Sequence, residues 1–200
     1  GLNPPPAQKR LIRPPASAIS GTMKLSPQTV WPFAVIPLVV LFDQVTKAWI
    51  LDQPALNGLA CLSDGRLCGR IEVPGPMDLS MVWNRGMSYG LFQSEGIMRW
   101  VLAGVMAAIA IGFFFWLLRA EGRWLKASLA LVVGGAIGNL IDRVRFGAVV
   151  DFVDVNELTA GYFPWVFNVA DAAITIGAIL LFVDQFLLSR PKQANSLKQG

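Results

Sequence analysis

The sequence predicts an all-α membrane protein with four transmembrane helices, and three observations carry that prediction. Hydrophobic residues make up 54% of the 200 and mean hydropathy is +0.52, more apolar surface than one soluble domain of this length can bury. Four stretches, roughly 30–50, 98–118, 126–144 and 163–188, each reach the about 20 mostly apolar residues that a helix needs to cross hydrocarbon. Lysines and arginines flank alternate ends of these stretches, as short cytoplasmic loops require.

Residues 1–28 precede the first span and include GLNPPPAQKRLIRPPASAISGT, which is rich in proline and polar residues and has no apolar period. They are expected to be a disordered leader or an added extension, with Met23 a candidate natural start. The first span runs from Val30 through Trp49 with Asp43 and Lys47 inside it and no small-residue cleavage site after it, so it reads as a permanent helix and not a removable signal peptide. Lys9, Arg10, Arg13 and Lys24 lie before span one, Arg119, Arg123 and Lys126 between spans two and three, and Arg190, Lys192 and Lys198 after span four. Four crossings put all of these on the cytoplasmic side. Both termini are then cytoplasmic, residues 29–189 form the membrane domain, 190–200 a cytoplasmic tail, and the loops 51–97 and 145–162 face outward. The pI near 9.4 follows from this topology and from anionic lipid, and no segment resembles a nucleic-acid module.

The first outward loop holds both cysteines, Cys61 and Cys68, in CLSDGRLC, and a disulfide and two free thiols both remain open. The chain contains no histidine, which removes Ser-His-Asp and Cys-His catalysis and leaves no zinc ligand set, so no metal or cofactor is expected. In the same loop LSMVW alternates between turn signals and reads as a strand, able to pair with an extended substrate. Trp49, Trp83, Trp100 and Trp165 read as an interfacial aromatic belt.

The topology gives each intramembrane polar residue a depth. Asp43 lies past the middle of span one and Lys47 one turn further out, at i and i+4. Span three reaches Asn139, Asp142 and Arg143 only after the apolar run ALVVGGAI, and span four carries Asn168 and Asp171 in its first turns at i and i+3. Three helices distant in sequence thus bring their polar groups to one depth. Helix caps, snorkelling side chains and interhelical hydrogen bonds account for some of these, Lys47, Arg143 and Arg145 above all. A carboxylate inside a helix costs about 2.5–3.5 kcal/mol at the bilayer centre, which asks for a compensating partner or a function. Gly134 and Gly138 have the small-xxx-small spacing of close helix packing, which helps to bring Asn139 and Asp142 against the neighbouring helices.

Without histidine, two facing aspartates can still share a proton, one activating water while the other polarises a carbonyl. Asp151 in VVDF and Asp171 in NVAD are the best pair, and spacing alone also allows Asp142 or Asp154 as partner. Other readings compete. A proton-coupled transporter needs a chain of polar residues through the whole span, and no such chain continues through ALVVGG or AITIGAILLF to the cytoplasm. A scaffold protein would use the cluster only to hold helices together. A Ser-Lys peptidase could use Ser88 with Lys47, and the GxGD sequence of presenilin-type proteases does not occur.

Five segments, DQVTK (43–47), NRGMSYG (84–90), GGAIGNLIDR (134–143), GAVVDF (147–152) and FNVADAAI (167–174), resemble in order and spacing the motif regions of lipoprotein signal peptidase, the bacterial type II signal peptidase. The resemblance covers most of residues 30–190. It implies four transmembrane helices with a small outward-facing β-sheet cradle within about 51–97, and an intramembrane aspartyl endopeptidase that uses no metal or cofactor. It implies cleavage of diacylglyceryl-modified prolipoproteins on the N-terminal side of the lipidated cysteine, by a monomer in the bacterial inner membrane with its site near the periplasmic face. Its partners would be lipidated prolipoproteins and membrane lipids. Asp151 and Asp171 match the catalytic pair, and Asp43, Lys47, Asn84, Gly86, Asn139, Asp142, Arg143 and Asn168 match positions that support the pair and bind substrate. The insert around 57–70, with its cysteines, has no counterpart in the pattern.

Overall fold

A computed structural model describes residues 27–62, 67–86, 97–162 and 165–188. The chain divides into two compact units, 1–30 and 31–200, and of the first only residues 27–30, the opening turn of a helix, are described. Residues 1–26 of the expected leader and the tail 190–200 lie outside the described residues.

Four helices form where four spans are expected: α1 (Pro27–Leu51), α2 (Ile97–Arg119), α3 (Arg123–Phe146) and α4 (Val169–Val183), the last running into a π-helical turn at Asp184–Leu188. Each is long and apolar enough to cross a bilayer. In α3, 56% of the apolar window is buried, against 17% in each of the others, so α3 is the central helix and the others turn most of their apolar surface to lipid. Its small residues permit that position. A Cβ on Gly134 would lie 2.9 Å from Val39 Cβ of α1, and one on Gly135 would lie 2.8 Å from Ile174 Cγ1 of α4.

One end of the helices carries a four-stranded antiparallel sheet in the order β1 (Leu67–Ile71), β2 (Asp78–Asn84), β3 (Val149–Asp154), β4 (Val166–Phe167). β2 contains the expected LSMVW. It pairs with β1 over Leu79–Val82 and with β3 at Asp78, Leu79 and Val82–Asn84, with an irregular register between Leu79 and Val82, so strands of its own sheet occupy most of its two edges. Two departures concern 145–162 and the start of span four. Gly147, at φ 76°, ends α3 and turns the chain directly into β3, where an outward loop was expected. β3 escapes a period-two reading because Val149 through Phe152 are buried in succession. The helix of span four begins at Val169, with Val166–Phe167 before it forming β4 where helix was expected.

The sheet's apolar face closes a core of Ile50, Leu56, Met81, Trp83, Ala148, Val150 and Phe152. Trp83 is 2% exposed, with its ring edge-to-face on Phe146 at 5.2 Å, so it belongs to this core and not to an interfacial belt. Trp49, Trp100 and Trp165 are exposed. Cys61 and Cys68 are joined by a disulfide with Cα atoms 5.7 Å apart.

Candidate active site

Where α1, α3, β3 and the start of α4 meet, Asp43, Lys47, Asn139, Asp142, Asp151 and Asn168 are all nearly or wholly buried. Buried polar groups at this density persist only with their hydrogen bonds satisfied, and here they are. Lys47 is the hub. Its ammonium lies 2.8 Å from Asp43 Oδ2 and 2.9 Å from Asp142 Oδ2, and donates to Asn139 Oδ1 at 3.1 Å. Three donors therefore meet three acceptors, the full capacity of an ammonium.

The two carboxylates held by Lys47 each grip the backbone immediately before another aspartate. Asp43 Oδ1 accepts the Ala170 N–H at 2.9 Å, and Asp142 Oδ2 accepts the Val150 N–H at 3.1 Å. Asp171 and Asp151 are the next residues in each case, so one buried cation fixes two strand-and-helix junctions at once. The close approach of α3 to α1 has a defined purpose here: a Cβ on Gly138 would fall 2.6 Å from Asp43 Oδ2.

Asn168 joins the two junctions. It is the N-cap of α4 with extended backbone, and its Oδ1 accepts the Asp171 N–H at 2.9 Å while Asp171 Oδ2 accepts the Asn168 N–H at 3.3 Å, a reciprocal capping box. Its Nδ2 donates to Asp151 Oδ1 at 2.7 Å, to Asn139 Oδ1 at 3.1 Å and to Val150 O at 3.2 Å. Asn139 then completes the circuit. Since Lys47 can only donate, Asn139 must present Oδ1 to it, which turns Nδ2 toward Asp171 Oδ1 at 2.7 Å. From the sheet, Asn84 Nδ2 donates to Asp151 Oδ2 at 3.0 Å, its own Oδ1 held by the Gly86 N–H at 3.1 Å.

Asp151 is 3% exposed, and its pKa is pushed from 3.8 up to about 7, first by burial and then by the charge of Asp171, against the opposing bonds from Asn84 and Asn168. Arg143 carries its charge toward Asp151, Asp171 and Asp142, and its Nε is buried without a hydrogen-bond partner among the described residues.

The ten residues singled out from the sequence thus fall in one connected region, with Gly86 acting through its backbone. The alternative partners for Asp151 are engaged elsewhere: Asp142 by Lys47, Gln44 and Val150, and Asp154 by Ser80 Oγ at 2.8 Å and the Asn156 N–H at 3.0 Å. Ser88, the nucleophile of the Ser-Lys reading, lies outside the described residues. Gln44 is a member that sequence reasoning missed. Its Nε2 reaches Asp142 Oδ1 at 3.0 Å, Asp43 Oδ2 at 3.1 Å and Gly138 O at 3.2 Å, and the signal was its place beside Asp43 in an otherwise apolar span.

Known proteins resemble this chain along most of its length. The family model described as "Signal peptidase (SPase) II" matches residues 35–187. A lipoprotein signal peptidase of Caulobacter vibrioides is 42% identical over 161 residues, covering 80% of this chain and 89% of that protein. One of Methylobacterium radiotolerans is 50% identical over 153 residues, covering 76% and 88%. A bacterial membrane enzyme solved by the in meso method at 1.9 Å resolution superposes with a TM-score of 0.65 at 28% identity, covering 78% of this chain and 93% of its own. A family model matched across most of the chain, relatives of this similarity and a shared fold together make it a member of the signal peptidase II family, a multi-pass membrane peptidase.

Proposed function

We propose that this chain removes signal peptides from diacylglyceryl-modified prolipoproteins, cutting on the N-terminal side of the lipidated cysteine, with Asp151 and Asp171 as a water-activating pair. The observation that carries the reading is the double tether of Asn168, whose side chain bonds Asp151 and whose backbone and side chain together cap Asp171. Two carboxylates so tied cannot both ionise cheaply, and Asp151, pushed up to about 7, is the one that keeps a proton near neutrality.

The roles follow from that difference. Asp171 takes a proton from a water as its oxygen attacks the scissile carbonyl carbon, while protonated Asp151 donates to the carbonyl oxygen and stabilises the tetrahedral intermediate. Collapse breaks the C–N bond, Asp171 returns its proton to the leaving amine, and Asp151 recovers its own from the product carboxyl. No covalent intermediate forms. Asn84, Asn139 and Asn168 hold the pair in place at no cost in reorganisation, and Lys47 keeps Asp43 and Asp142 gripping the backbone beside it.

A site at the sheet-bearing end of the helices suits a substrate whose acyl chains stay in the bilayer while the peptide above them meets water. With the basic flanks inside, that end faces the periplasm across the bacterial inner membrane, and both termini are cytoplasmic. The enzyme acts as a monomer, its partners being lipidated precursor and membrane lipid.

The test uses purified protein in lipid nanodiscs with a diacylglyceryl precursor peptide and its unlipidated counterpart. Mass spectrometry should find cleavage of the lipidated form alone, with the modified cysteine at the new N-terminus. Equal cleavage of both forms, or a cut elsewhere, contradicts the assignment.

A further inference from the structure

The insert around the two cysteines has no part in the mechanism so far, yet it touches the strand that aims at Asp151. Successive side chains of a strand point to opposite faces. In β2 this sends Asn84 to the site, where it donates to Asp151, and sends Trp83 to the opposite face, as it does Arg85, the residue that follows the strand. Both flanking side chains end on one short segment. Trp83 Nε1 donates to Gly58 O at 2.7 Å, and the Arg85 guanidinium donates to Leu62 O. The segment is itself compact: Asn57 adopts a left-handed φ of 53°, Asn57 O accepts the Cys61 N–H at 3.1 Å, and Leu59 O accepts the Leu62 N–H at 3.3 Å. It is closed onto β1 by the Cys61–Cys68 bond. Beside that bond Gly69 allows contact that a side chain would prevent, since a Cβ there would lie 2.8 Å from Leu56 Cα.

We propose that the Cys61–Cys68 disulfide is a redox-sensitive brace for the active site, with Trp83 and Arg85 as positioning residues that transmit it. The bond clamps the turn 57–62 to β1, the two side chains are pinned to carbonyls of that turn, and Asn84 between them thereby keeps its aim at Asp151. Reduction by a dithiol breaks the S–S bond with two electrons and two protons, leaving Cys61 and Cys68 as thiols and the dithiol as its own disulfide. The turn is then joined to β1 only through the intervening main chain and noncovalent contacts, and Asn84 loses its fixed backing. This rests on the reading of Asp151 as a member of the catalytic pair.

The experiment measures cleavage of the diacylglyceryl precursor peptide by the full chain in nanodiscs, before and after dithiothreitol, with maleimide mass labelling to count thiols. Reduction should lower kcat about 10- to 100-fold, the range that small misplacements of catalytic groups produce, with KM changed less than about twofold. A second readout separates positioning from general weakening. Asp151 is faced by Asp171 from α4, Arg143 from α3 and Lys47 from α1, and the Asn84 bond is what the brace controls; losing that bond moves the alkaline limb of the pH–rate profile to higher pH. Trp83→Phe, which keeps the ring packing and deletes the bond to Gly58, should show the same two changes with the disulfide intact. A Cys61→Ser/Cys68→Ser double variant should resemble reduced wild type and ignore dithiothreitol. Fully reduced protein with unchanged kcat overturns the proposal. So does reduction that merely unfolds the protein, since the bond would then be a general staple. An Asp151→Asn variant that still cleaves would instead remove the dyad reading, an outcome distinct from a dithiothreitol-indifferent wild type beside an inactive Asp151→Asn.

Discussion

Replacing Asp151 by asparagine should abolish cleavage and at the same time flatten the pH dependence of stability. In the folded protein the Asp151 carboxyl is raised from 3.8 to about 7, so the native state holds a proton that the unfolded chain has already released. For a raised group the associated stability is fully present below 3.8 and is lost as pH climbs to about 7. Between pH 5 and 8 the wild type should lose about 2–3 kcal/mol from this residue, at about 1.4 kcal/mol per unit over the two units below 7. For a chain of this size that is about 5–10 °C in Tm. Asparagine does not titrate and should show none of that slope. It brings its own penalty, because Asn84 and Asn168 both donate to the Asp151 carboxylate and an amide has one acceptor oxygen, which leaves one donor unmatched at about 1–3 kcal/mol. That penalty is the same at both pH values, so the difference between the two proteins' pH slopes isolates the carboxyl. Thermal unfolding of both proteins in one detergent from pH 5 to 8 reads it. Parallel curves would mean that Asp151 ionises in the folded state as it does in water, and the reasoning from burial would fail.

Three further substitutions probe the supports. Lys47→Met leaves Asp43 and Asp142 buried without their cation and should cost about 3–5 kcal/mol, seen as a large fall in Tm, with no turnover of precursor. Asn168→Ala removes the cap of α4 and the tether to Asp151; about 0.5–2 kcal/mol of stability should go with the cap, while kcat for precursor cleavage falls far more steeply than Tm. Gly138→Ala sets a methyl against Asp43 Oδ2 and should push that carboxylate off the Ala170 N–H, costing about 1–3 kcal/mol in the same melt and lowering kcat without touching Asp151 or Asp171 directly.

Much of this site is legible in the sequence because helix geometry is local. The spacing of Asp43 and Lys47 gives a real ion pair, and that of Asn168 and Asp171 resolves into a capping box at the start of α4. Depth within a span brings Asn139 and Asp142 to the same level from a third helix. What the residues do not disclose is contact across elements. That Asp43 and Asp142 grip the amides before Asp171 and Asp151 depends on how closely α3 packs, which Gly138 permits but does not announce. Gln44 reads as one more polar residue until it is seen between two carboxylates. The sheet is hidden for a different reason. β3 is buried in succession from Val149 to Phe152 and β4 is two residues long, so neither shows a period of two, and Trp83, taken for an interfacial residue, is drawn inward by Phe146 and Gly58. The argument against a proton pathway remains that Ser128 in α3 and Thr175 in α4 are isolated hydroxyls, with no continuous chain of polar residues along the rest of either span.

The most direct measurement is turnover of a diacylglyceryl precursor peptide by nanodisc-embedded Asp151→Asn and Asp171→Asn variants that retain wild-type helical content. Loss of product is expected in both, by about four to six orders of magnitude as for other catalytic groups that act as a unit. Release of the lipidated-cysteine product at the wild-type rate by either variant would contradict a shared role for these two carboxylates.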